Sequence, residues 1–80
     1  MSDEVIKGSI SGYVFENLEI ATYTVLIEAA RAVGDVETQR ACEQILPQEQ
    51  AMAQWLLEHL PDTTYQFLVR AETPGITARR

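Results

Sequence analysis

Hydrophobic and polar positions alternate along this chain with the period of an α-helix, about 100° per residue, and nowhere with the two-residue period of a strand. From about Asp3 to Val33 the pattern predicts one long helix, weakened near its start by Gly8 and Gly12. "VGD" at 33–35 then supplies a stop and a restart, because Gly34 can take a left-handed C′ conformation and Asp35 can cap the next helix. A second helix is predicted from Val36 to about Leu60, bent at Pro47, with "LPD" at 60–62 ending it. Asp62 can cap a shorter third helix, "TTYQFLVRA", and "ETPGITARR" offers nothing to pack, so a frayed tail is expected over residues 73–80.

Projected on a helical wheel, the first helix carries a narrow polar stripe of Asn17, Thr24, Glu28 and Arg31. The rest of its circumference is apolar, with Glu19 near the middle of that arc. Glu16 also falls inside it, in a row with Ile20, Tyr23 and Ile27. On the second helix Arg40, Glu43, Gln50, Gln54 and Glu58 share a wet side. Ala41, Cys42, Ile45, Met52, Ala53, Leu56 and Leu60 form the dry side, with Glu49 at its centre. Glu16, Glu19 and Glu49 therefore point where a core is expected.

An unpaired ionised carboxylate in a protein interior costs several kcal/mol, and three would rival the roughly 5–15 kcal/mol that holds a domain together. Protons, a basic side chain or a metal ion can neutralise them. Lys7, the only lysine, lies more than two turns from Glu16, and Arg31 and Arg40 project to the polar faces. Metal is the best remaining counter-charge. The alternative is that these glutamates line a wet end or seam of an assembly, or meet an arginine from another subunit.

Composition narrows the classes further. The 80-residue chain has a net charge of −6, which disfavours coating nucleic acid or an anionic membrane. Its one cysteine, Cys42, excludes an internal disulfide framework and fits a reducing compartment. The longest apolar runs are too short to span a bilayer, and no charged-then-apolar leader opens the chain, so a soluble cytoplasmic protein is expected. His59 lies near the end of the second helix, ten residues beyond Glu49, where a surface or capping role outweighs a ligand role. Cys42 reads as a small buried hydrophobe and Trp55 as packing.

"ENLEIATYTVLIEAARAVGD" followed by "CEQILPQEQAMAQWLLEHLP" resembles the last two bundle helices of bacterial ferritin-like proteins of the YciE and YciF type. The likeness covers about residues 3–70, and rests on the Glu-x-x-Glu-Ile-Ala-x-Tyr run, the Gly-Asp turn and the later Leu-x-x-Glu. Such proteins hold two iron or manganese ions among glutamates and histidines projecting inward from four helices. The resemblance thus implies metal-ligand roles for Glu16, Glu19 and Glu49. Asn17 stands where the family usually has histidine, though its position faces outward, and Met52 stands three residues after Glu49 where many ferritin-like sites have histidine. An all-carboxylate half-site favours hard, oxygen-loving ions. Family members usually carry two further helices ahead of this pair, so either the other half of the bundle has been removed here or two chains supply two helices each.

The expectation is an all-α antiparallel helical hairpin, residues 1–72, with a short C-terminal helix. It assembles, as a homodimer or higher oligomer, into a ferritin-like four-helix bundle. The expected function is a dimetal carboxylate site, di-iron in first place and manganese in second, oxidising Fe(II) or handling peroxide in stress protection. The competing class is a non-catalytic interaction module whose inward glutamates pair with cations of a partner.

Overall fold

A computed structural model describes residues 3–72, and these form two helices, α1 from Glu4 to Val33 and α2 from Val36 to Glu72. The two run antiparallel along their length. The connection between them is short because each helix end is satisfied locally. Gly34 takes φ +78°, where a side chain would be strained, and its N–H donates to the Arg31 carbonyl at 3.2 Å. The Asp35 N–H reaches back to the Ala30 carbonyl at 2.9 Å, which completes a Schellman closure. Asp35 then caps α2, accepting the Thr38 N–H at 3.1 Å and the Thr38 hydroxyl at 2.6 Å on its two carboxylate oxygens. Those two bonds hold the Asp35 carboxyl below its usual range.

The separate C-terminal helix expected after Leu60 does not form: α2 continues without a break through Pro61 to Glu72. Proline removes one backbone donor and crowds the carbonyl four residues back, but it leaves the rest of the ladder intact. Here the inward positions repeat across it, with Leu60, Thr64 and Phe67 all partly buried, so packing continues the helix where the local sequence would stop it. The Thr64 hydroxyl also donates to the Leu60 carbonyl at 2.8 Å, one turn across the proline. Pro47 is likewise carried inside α2. The tail expected at residues 73–80 lies outside the described residues.

The inward row of α1 is Gly12, Glu16, Glu19, Ile20, Tyr23, Ile27 and Ala30, each at least partly shielded. Opposite it on α2 stand Cys42, Ile45, Glu49, Ala53, Leu56 and Leu60. Only Ala30, Cys42 and Ala53 are buried among the described residues. One layer of two helices thus makes a thin seam rather than a full core, and the molecule measures 62 × 17 × 13 Å. Much apolar surface stays open to solvent, including Val14, Phe15, Leu18 and Val25 on α1 and Met52 and Trp55 on α2. No helix among the described residues is long and apolar enough to cross a membrane.

Candidate metal centre

The centre is built by the register of the hairpin. With the turn at Gly34, antiparallel pairing puts Gly12 beside Leu56, Glu16 beside Glu49 and Tyr23 near Cys42. The Glu49 carboxyl stands within hydrogen-bonding reach of Glu16 across the seam. That contact, together with loss of hydration and the charge on Glu16, holds Glu49 above the usual carboxylate range. Two ionised carboxylates have no proton to place between them, so the pair asks for one proton or for a cation. Glu16 Oε1 is shielded from solvent and has no hydrogen-bond partner, an arrangement that is costly unless something positive meets it.

Glu19 is half-buried one turn along the same helix and lies within the electrostatic reach of Tyr23. The Tyr23 hydroxyl is shifted upward by desolvation first, then by the negative charge of Glu19, Glu49 and Cys42. A phenol beside these carboxylates keeps its proton and remains a donor. Among the described residues, however, no three His, Cys, Asp or Glu side chains converge on a single point that could hold a metal ion. The hairpin brings Glu16 and Glu49 together and leaves Glu19 outside that pair.

Basic side chains nearby are engaged elsewhere. Lys7 pairs with Asp3 at 3.5 Å on the surface, and Arg31 pairs with Glu28 one turn back on its own helix. Asn17 faces outward as its projection implies and donates to the Tyr13 carbonyl at 2.8 Å. Met52 is 47% exposed, so its thioether borders the seam without closing it. The orphaned Glu16 oxygen, the paired carboxylates and the all-oxygen donor set fit a hard divalent cation.

The helical wheel does not single out His59, yet it is engaged. Its ring stacks on Trp55 with centroids 4.0 Å apart, and its Nδ1 lies 2.8 Å from the Trp55 carbonyl oxygen. The signal that could have found this pair is the four-residue spacing, which stacks side chains on one helix face. Beside that stack, Gln48, Ala51, Met52 and Trp55 line a shallow cleft of about 520 Å³ on α2. The stack lies more than one turn beyond Glu49, while the cleft borders the seam through Gln48 and Met52.

The family model for a domain of unknown function, DUF892, matches residues 1–69, and the chain belongs to that family, whose fold is ferritin-like.

Proposed function

We propose that this protein is a ferritin-like metal-binding protein of the YciE and YciF type, in which Glu16 and Glu49 hold iron or manganese in a dinuclear carboxylate site and Glu19 completes the ligand set. The observation that carries the reading is Glu16 Oε1, a solvent-shielded carboxylate oxygen without a partner, facing a seam that already contains Glu49. A hard cation supplies the missing positive charge at lower cost than burying an unpaired carboxylate. Bound as a pair, iron would supply oxidation of Fe(II) by oxygen or peroxide, which is the basis of a role in stress protection.

The chain's own contributions come from the positions of its residues. Glu49 is protonated more readily than an ordinary glutamate and gives up that proton when a cation takes its place, so binding weakens as pH falls. Tyr23 offers a hydroxyl donor beside Glu19 and Glu49. Ile20, Ile45 and Leu56, all partly buried in the seam, limit the water that competes for the carboxylates.

Iron and manganese content after gentle purification, with Glu16→Gln and Glu49→Gln as controls, tests the reading. Stoichiometric metal that is lost in both variants supports it. A metal-free protein that takes up neither Fe(II) nor Mn(II) would instead favour the interaction module, its glutamates meeting a partner's basic side chains.

A further inference from the structure

We infer that Met52 is an oxidation site, where hydrogen peroxide transfers an oxygen atom to the thioether, and that a cation held by Glu16 and Glu49 directs the reaction to it. The inference rests on the proposed metal site and adds to it a residue that peroxide modifies there.

The position of Met52 on α2 carries the first half. It stands three residues after Glu49, a spacing that puts the two Cβ atoms roughly 5–6 Å apart on one side of the helix. Long side chains on a helix lean toward its N-terminus, so the Met52 thioether lies over the turn that carries Gln48 and Glu49. The cleft agrees with that direction, since Gln48 and Met52 line it together with Ala51 and Trp55.

Access separates the two sulfur atoms of α2. Met52 is 47% exposed, whereas Cys42 is 6% exposed on the inward side of the hairpin. Oxidation of sulfur follows exposure as well as chemistry, so dissolved peroxide meets Met52 and not Cys42.

The charge beside Met52 sets the rate. A sulfur lone pair attacks one peroxide oxygen, the S–O bond forms as the O–O bond breaks, and sulfur gives up two electrons to the peroxide. The departing hydroxide takes the proton from the transferred oxygen and leaves as water, so thioether and hydrogen peroxide become sulfoxide and water. Negative charge therefore grows on the departing oxygen in the transition state. The Glu16–Glu49 carboxylates oppose that charge from one turn away, and a divalent cation on the pair turns opposition into stabilisation. Lys7 and Arg31 supply no substitute, because each is paired on its own helix. The product puts a polar group beside Trp55 in a cleft wall that is otherwise apolar there.

Competition for peroxide tests this. The full chain is mixed with an equal concentration of free methionine and a limiting amount of hydrogen peroxide, in chelator and then with Mn(II). Met52 sulfoxide is measured by peptide mass spectrometry, with metal content taken on the same samples. The expected result is a Met52 rate, relative to free methionine, about tenfold higher with bound Mn(II) than in chelator. In Glu49→Gln the ratio should stay at the chelated value. An unchanged ratio in the parent with Mn(II) bound overturns direction by the cation. Met52 that stays reduced while free methionine is consumed, again with Mn(II) bound, overturns the oxidation site and leaves the metal reading intact. Protein that takes up neither Mn(II) nor Fe(II) overturns the metal reading and the cation's part together. Trp55 emission is a second readout, expected to change when the parent is oxidised and to stay fixed in Met52→Leu. The same change in Met52→Leu would place the modified group elsewhere and overturn the proposal.

Discussion

The Glu49 carboxyl faces Glu16 across the seam between α1 and α2, and that contact, with loss of hydration, holds Glu49 above the usual carboxylate range. A proton taken up more tightly in the folded state than in the unfolded chain stabilises the fold wherever the proton is bound. Its contribution is fully present below the unfolded value, near 4.5, and is lost as pH rises through the raised folded value. Metal-free protein should therefore melt higher at pH 5 than at pH 7.5, an inversion of ordinary acid destabilisation. Thermal melts in chelator across that range check the sign, and a melting temperature that falls steadily toward pH 5 would show that the pair is not sharing a proton.

The turn between the helices makes a second prediction, because Gly34 and Asp35 act through different physics. Gly34 is at φ +78° with nothing within 4 Å of where a Cβ would sit, so Gly34→Ala meets backbone strain and no clash. The cost should be about 1–2 kcal/mol. Asp35→Ala removes the acceptor of the Thr38 N–H and hydroxyl, and should lower the melting temperature by a few degrees. Since the Asp35 carboxyl is held below its usual range, its contribution is present above pH 3.8 and fades only below it. Denaturant unfolding of both variants at neutral pH separates the two effects from the pH response of Glu49.

Gly12 and Pro61 should both be improvable. A Cβ built at Gly12 would meet Leu56 Cδ1 at 3.5 Å, an ordinary van der Waals contact, so Gly12→Ala gains helix propensity and loses no space. A stabilisation of about 0.5–1 kcal/mol is expected. Pro61→Ala restores a backbone donor inside a helix that already runs through the proline, and should stabilise by about 1–3 kcal/mol. If Gly12→Ala instead destabilised the hairpin, the two helices would have to lie closer there in solution, as a small-residue seam requires.

The legibility of the fold in the sequence tracks the range of the physics involved. The helix boundaries around Gly34 and the cap at Asp35 are local, and both were readable from three residues. The inward direction of Glu16, Glu19 and Glu49 needed only the helical period, and all three are partly shielded. The run of α2 through Pro61 was not readable, because packing of Leu60, Thr64 and Phe67 overrides a local stop signal and packing is not local. Nor could the wheel tell which part of a broad apolar arc meets the neighbouring helix. Phe15 and Leu18 fall in that arc and are 55% and 60% exposed, whereas Ile20 and Ile27 in the same arc are partly buried. The division depends on where the partner helix lies, and so does the separation of Glu19 from the Glu16–Glu49 pair.

Trp55 offers a direct readout of whether the exposed apolar surface of α2 around Met52 becomes covered. It is the chain's single tryptophan, 53% exposed and stacked on His59. If metal binding brings a partner onto this surface, its emission should shift from the red in chelator toward the blue with metal, because burial removes water from the indole. Emission that stays fixed while metal binds would place the covered surface elsewhere on the molecule.

Glu49→Gln separates the metal reading from its rival most sharply, because the two give opposite signs once metal is removed. If Glu49 is a ligand, the amide keeps size and shape but removes the charge that attracts the cation, so metal affinity should fall by about an order of magnitude or more. The chelated variant should then lose no stability at pH 7.5 and gain some, since a neutral amide beside Glu16 ends the repulsion and can donate to the Glu16 carboxylate. Its melting temperature should also lose the rise toward pH 5 expected of the parent, because the group responsible no longer titrates. If Glu49 instead meets an arginine or lysine of a partner, the same substitution strands that cation in the interface and weakens the complex whether or not metal is present. Paired melts of parent and variant in chelator decide the matter: a variant that melts well below its parent rules out the ligand role, even where metal has been found in the purified protein.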